Sequence, residues 1–294
     1  MRSRSSITTR PGPIAIVALL LLTAMRFSAS AQHVAILTPN ATALDESVAT
    51  NTKAALSGVF RIQDLGMSAT ALDASGKRVK AFNLTTDEAR DLAALLGCDF
   101  FIVVSSGTLR RASLEKADHS ESFAAFFVVS GRTGRLVNWK LFSQIGADAT
   151  DSEHRLTHAL VHDELFESIA AAWKSEPLEQ PASAFQQIPD AGTLESKNFR
   201  APVPYRRFKP EYTRTAYLYD VTATVEATVD LDDKGEIKNI AITRWAGYGL
   251  DESVEKTVRA MNWRPAERNG KPLASRFLLR YNFRKIEKND PDNE

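Results

Sequence analysis

The sequence predicts an α+β protein in two parts. A mixed α/β domain covers residues 32–175, and a small domain over 205–286 is built on a three-stranded antiparallel sheet with helices. Three observations carry this reading. A chain of 294 residues, 44% hydrophobic and 25% charged, fits about two ordinary globular domains at ~150 residues each. Six of the 12 prolines fall between Pro177 and Pro210, so an extended linker over 176–204 divides the chain. Before that stretch helical and strand periods alternate; after it a strand pair, one helix and a final strand follow.

Residues 1–31 read as an address. Arg2, Arg4 and Arg10 precede an apolar run from Ile14 to Met25, and Ala29-Ser30-Ala31 supplies a small-x-small cleavage pattern. This is the layout of a secretory signal peptide cleaved after Ala31. The run falls short of the ~20 residues that span a bilayer, so no membrane span remains after cleavage. The alternative is a signal anchor in the inner membrane.

The first domain opens with a strand at Val34–Leu37 and a helix to about Leu56, with Asp45 as its candidate cap. A strand follows near Phe60–Leu65. Thr85-x-x-Glu88 has the form of a capping box. The helix behind it places Ala89, Leu92, Ala93, Leu95 and Leu96 at helical spacing and stops at Gly97. Asp99–Ser105 is a buried strand, and Phe123–Ser130 with Arg135–Ile145 flanks the turn Gly131–Gly134 as a hairpin. One long helix from Ser152 to Lys174 closes the domain.

After the linker, Val221, Ala223, Val225, Ala227 and Val229 alternate with Thr222, Thr224, Glu226 and Thr228, the period of a half-buried strand. Asp232–Gly235 turns the chain into a partner strand, Glu236–Trp245. Leu250, Val254, Val258 and Met261 mark one face of a helix, with Asp251 and Glu252 at its positive end. Asn269-Gly270 turns into a last strand. There Phe277, Leu279, Tyr281 and Phe283 share one face, and Arg276, Arg280 and Arg284 share the other. Residues 287–294 are a polar tail.

Composition excludes several functions. A formal charge of +1 gives no bulk attraction for nucleic acid. Residues 1–31 hold four arginines and no acid, so the rest carries 33 basic and 36 acidic residues, a net −3. The single Cys98, in an apolar stretch, excludes an internal disulfide and reads as an inert thiol. His154, His158 and His162 recur every four residues and are the candidate metal trio. Their face runs on into Leu165, Ile169 and Trp173, which favours a half-buried helix start instead. No nucleophile elbow, phosphate loop or dinucleotide fingerprint appears, so neither an enzyme nor a cofactor is indicated.

Two resemblances complete the reading. ARDLAALLGCDFFIVVSSGTLRR and FFVVSGRTGRLVNWKLFSQIG, within residues 33–174, resemble the CsgG and TolB amino-terminal domain group, which implies a part in cell-envelope assembly. Asp232–Gly235, Gly247–Asp251, Trp263–Pro272 and Tyr281–Phe283 resemble the C-terminal domain of the TonB energy-transducer family. In that pattern Gly235, Leu250, Asp251, Trp263, Pro265, Ala266, Asn269, Gly270, Pro272 and Phe283 are structural. The likeness implies a non-catalytic periplasmic module of a Gram-negative-type envelope, linked to transport. It would bind an outer-membrane receptor or other envelope protein by strand addition. The residues expected to meet the partner are Arg276, Phe277, Leu278, Arg280, Tyr281 and Arg284. The alternatives are a structural protein whose domains oligomerise and an exported metal-dependent enzyme built on the histidine helix.

Overall fold

The computed structural model describes residues 32–76, 82–112, 118–176, 185–190 and 192–285. The signal-peptide reading and the polar tail lie outside these residues. The N-terminal part runs β1 (His33–Leu37), α1 (Ala43–Leu56), β2 (Arg61–Ile62), α2 (Leu65–Ala74), α3 (Thr86–Leu96), β3 (Phe100–Arg111), β4 (His119–Ser130), β5 (Leu136–Gly146), α4 (Ala149–Ala159) and α5 (Asp163–Ser175). Its strands form one sheet in the order β2-β1-β3-β4-β5, mixed as expected: β1 lies parallel to β2 and β3, and β3, β4 and β5 are antiparallel.

Strand periodicity sends alternate residues to opposite faces. Val34, Ile36, Phe100, Ile102, Phe126 and Val128 pack with Val48, Leu56, Leu156, Leu165 and Ile169 of α1, α4 and α5. Ala35, Leu37, Phe101, Val103, Phe127 and Val129 face the other way, into a core shared with Leu72, Leu92 and Leu96 of α2 and α3. That core continues into the C-terminal part without a break.

The C-terminal part runs β6 (Gln186–Gln187), β7 (Phe199–Arg200), β8 (Val203–Pro204), α6 (Arg214–Leu218), β9 (Ala223–Leu231), β10 (Ile237–Arg244), α7 (Leu250–Arg259), β11 (Trp263–Arg264), β12 (Ala266–Arg268), β13 (Lys271–Leu273) and β14 (Ser275–Phe283). Its main sheet has the order β10-β9-β14-β6. The antiparallel trio β10, β9 and β14 is the predicted one, and two-residue β6 adds a parallel strand at its edge. The described part of 176–204, expected as linker, is built into this region: β6 pairs β14, β7 pairs β12 and β8 pairs β11.

Residues Gln32–Glu294 form one compact unit. Phe82, Phe127, Trp245 and Tyr248 form an aromatic cluster that joins the two parts, with Phe127 stacked on Trp245 at 5.7 Å. Beside it Asn83, at φ 63, closes the end of the sheet with its side chain. Its amide accepts from the Thr224 N–H (2.9 Å) and donates to the carbonyls of Thr224 (2.7 Å) and Trp245 (2.6 Å). The Thr224 groups are the ones that β9 leaves open where β10 ends, and the Trp245 carbonyl follows β10.

Several expectations change. The long helix 152–174 is two helices: Leu160 leaves α4 in extended backbone, and His162 starts α5 with its ring edge-on to Phe126 at 5.7 Å. The acidic pair Asp163-Glu164 supplies the second helix start. Thr42, not Asp45, caps α1. Asp45 sits at the third position of that capping box, fully buried, and accepts from the N–H and hydroxyl of Ser106. The strand expected at 60–65 shrinks to Arg61–Ile62, because Asp64 caps the unpredicted helix α2 through the N–H groups of Gly66 and Met67. Among the described residues no helix is long and apolar enough to cross a membrane.

Candidate functional site

The strongest candidate is the outer edge of β14. The register of β14 on β9 is unbroken from Ser275 to Phe283. In antiparallel pairing a residue's N–H and C=O point to the same side, and the side alternates along the strand. The carbonyls of Ala274 and Arg276 accept from Gln186 and Ile188 (3.1 and 3.3 Å), on the side away from β9. Leu278, Arg280 and Asn282 therefore turn their backbone groups to that same outer side, beyond the end of β6. No strand pairs with them among the described residues. The odd residues from Ser275 to Phe283 hold the ladder to β9.

The side chains alternate too. Phe277 and Phe283 are buried in the core, and Leu279 and Tyr281 pack against it. Leu278 is 50% exposed on the opposite face. Its neighbours are arginines that the sheet has already matched. Arg276 grips the nearly buried Asp230 through two bonds of 2.6 and 2.7 Å, and Arg280 reaches buried Glu226 at 2.8 Å. Arg244 of β10 approaches the same Glu226 at 3.4 Å. Arg276 and Arg280 are thus balanced within the sheet, although the Arg280 side chain stays 61% exposed. Arg284 follows the strand, exposed.

The residues of the C-terminal motif hold this sheet in shape. Gly235, at φ 85, turns β9 into β10, and a Cβ there would lie 2.1 Å from the Trp263 carbonyl, so only glycine fits. Leu250, Trp263, Ala266 and Phe283 are buried. Asp251 accepts from the N–H groups of Ala246 and Gly247 (2.9 and 2.8 Å), tying α7 to the end of β10, and burial pushes its carboxyl up to about 7. Asn269 and Gly270, both at positive φ, make the tight turn between β12 and β13, where Pro272 pairs opposite Glu267. Pro265 separates β11 from β12 and packs beside Gly235.

The histidine trio is not brought together as one helical face. His154 and His158 lie 4.3 Å apart on α4, while the nearly buried His162 belongs to the start of α5. Among the described residues no group of three metal-ligating side chains is assembled. Cys98 is half-buried, and burial pushes its thiol up to about 12, so it stays protonated.

Sequence reasoning missed Glu226 and Asp230 as partners of the arginines. The signal was present: acids four apart on one strand and arginines four apart on the other fall on the same face at a period of two. Asn83 carried no comparable signal, because its role depends on where β10 stops.

Residues 209–284 match the family model of the Gram-negative bacterial TonB protein C-terminal. Solved structures similar to the chain include lipoprotein GNA1162 from Neisseria meningitidis, at 14% identity over 48% of this chain and 99% of that one, with a TM-score of 0.33. The Pseudomonas aeruginosa TonB C-terminal domain matches at 21% identity over 37% of this chain and all of its own length, with a TM-score of 0.27. The LpoB C-terminal domain from Salmonella enterica matches at 12% identity over 44% and 92%, also with a TM-score of 0.27. Among curated proteins, none matches the chain. The segment that matches this family model, residues 209–284, shares its hydrophobic core with the α/β part that precedes it.

Proposed function

We propose that this chain is a non-catalytic, exported protein-binding module of the periplasm. It engages an outer-membrane receptor or another envelope protein by strand addition along β14, in a role linked to transport. The observation that carries the reading is the open outer edge of β14 at Leu278, Arg280 and Asn282, within the segment that matches the TonB C-terminal family. An extended partner segment would continue the sheet where β6 stops, with Leu278 as its apolar contact.

The parity of the strand makes the test specific. A photoreactive residue at position 278, in cells carrying the whole chain, is expected to give a discrete adduct with an outer-membrane protein. Asn282→Pro removes an N–H that faces outward, spares the ladder to β9 and leaves the arginine–carboxylate pairs in place, so the fold holds while the adduct disappears. No adduct, or one that survives the proline at full yield with the fold intact, overturns the reading. An adduct with a second copy of the chain overturns it in favour of self-association.

A further inference from the structure

A larger opening lies on the other side of the C-terminal sheet. A cavity of about 740 Å³ separates β5, the edge of the first sheet, from β10, the edge of the second. All seven consecutive residues from 135 to 141 line it, and so do residues 240–242. A strand that presents a face contributes alternate residues; one that contributes every residue presents its edge. The cavity is therefore bordered by two open strand edges.

Register identifies the backbone groups along them. The Ser130 N–H donates to the Arg135 carbonyl, so Ser130 faces β5, and every second residue of β4 does likewise. Their partners on β5 include Asn138 and Lys140, which leaves Trp139 and Leu141 pointing their N–H and C=O away from β4. On the other border, Thr224 faces the β10 side, as its bonds to Asn83 show, and Thr228 and Asp230 share its parity. Asn239 and Ala241 pair with those two, so Ile240 and Ile242 point outward. Among the described residues none of these four outward residues is paired by a further strand.

The groove also has polarity. Arg135 lines its start and a second, adjoining cavity of about 310 Å³ on the polar face of the sheet, which Ala241, Arg276 and Leu278 also line; among the described residues the groove itself has no lining from β14. Arg135 is half-buried, and no carboxylate pairs with it among the described residues. Asp251 and Glu252 line the far end, near which the Trp139 ring lies 5.4 Å from that of Tyr248. β5 and β10 therefore run past the groove in the same direction, from the cationic end to the anionic end. A segment antiparallel to both would bring its C-terminal side to Arg135.

We propose that this groove is a second docking site, distinct from the β14 edge, for an extended peptide segment that runs antiparallel to β5 and β10 and carries an acidic side chain at its C-terminal end to pair with Arg135. The six residues Leu136–Leu141 of the β5 border match a segment of about 20 Å in extended form. A basic residue at the segment's N-terminal end would meet Glu252, so the site selects the order of charges as well as their presence.

The test uses two capped peptides of one composition, acetyl-Lys-Thr-Val-Thr-Val-Glu-amide and acetyl-Glu-Thr-Val-Thr-Val-Lys-amide, added to isotope-labelled Gln32–Glu294 and followed by amide NMR. The first is expected to shift the amides of Trp139, Leu141, Ile240 and Ile242, with an affinity about fivefold above the second. Arg135→Gln is expected to weaken that preference to about twofold, the part left to Glu252, while leaving the spectrum of the free protein otherwise unchanged. Shifts confined to Leu278, Arg280 and Asn282 overturn the second site and leave the β14 reading standing. Equal affinity for the two peptides also overturns it. So do shifts of the groove amides with protein concentration alone, which would make the occupant a second copy of the chain.

Discussion

Replacing Arg276 with alanine lowers the unfolding free energy by about 3 kcal/mol, measured by urea denaturation of Gln32–Glu294. Asp230 is 1% exposed, and its carboxylate is held by two bonds from Arg276, with the Asn239 amide at 3.4 Å as a weaker third contact. Deleting the guanidinium leaves a buried charge with little to offset its desolvation, and that loss dominates the effect. The double replacement Arg276→Met with Asp230→Leu removes both charges and keeps apolar volume, so it is expected to stay within about 1 kcal/mol of the parent. A single substitution as mild as the double one would show that the pair is solvated and weak. The consequence for function is direct: binding losses in Arg276→Ala report on the sheet before they report on a partner.

Asn83→Ala is the second large effect, expected at about 3 kcal/mol by the same measurement. The side chain closes the open end of β9 with three hydrogen bonds, and its loss leaves the N–H and C=O of Thr224 and the carbonyl of Trp245 without those bonds. Alanine is also strained at φ 63, by about 1 kcal/mol. Asn83→Gly separates the two causes: it loses the same bonds without the strain, so it should be the milder of the pair by about that 1 kcal/mol. Equal effects of the two substitutions would assign the whole loss to the hydrogen bonds, and a loss under 1 kcal/mol in both would mean that water replaces them.

Much of the fold was legible because periodicity and punctuation are local. The alternation along Ala223–Val229, the capping box at Thr85 and Glu88 and the stop at Gly97 each act within a few residues, and the structure holds all three, with β9 starting two residues after Val221. The helix break at Leu160–His162 was not legible, since the helical spacing runs through it and the interruption goes with the seating of His162 on Phe126 of a distant strand. The cap at Thr42 with Asp45 three residues on is itself a local signal, whereas the burial of Asp45 under Ser106 is a contact across 61 positions that composition does not show. The prolines between 177 and 210 suggested separation, yet they are also compatible with short edge strands such as β8, which ends on Pro204. The candidate edge was half legible. The strand and its two faces followed from Phe277 to Phe283, but the pairing of its arginines and the cover at Ser275–Arg276 by β6 depend on register.

A partner strand on the outer side of β14 would take up the amides that face away from β9. Hydrogen exchange on the adduct formed through position 278, compared with the free protein, tests it most directly. The amides of Arg280 and Asn282 are expected to slow by at least about tenfold, while those of Leu279 and Tyr281, which already face β9, change little. Unchanged exchange at Arg280 and Asn282 in the adduct would contradict strand addition there.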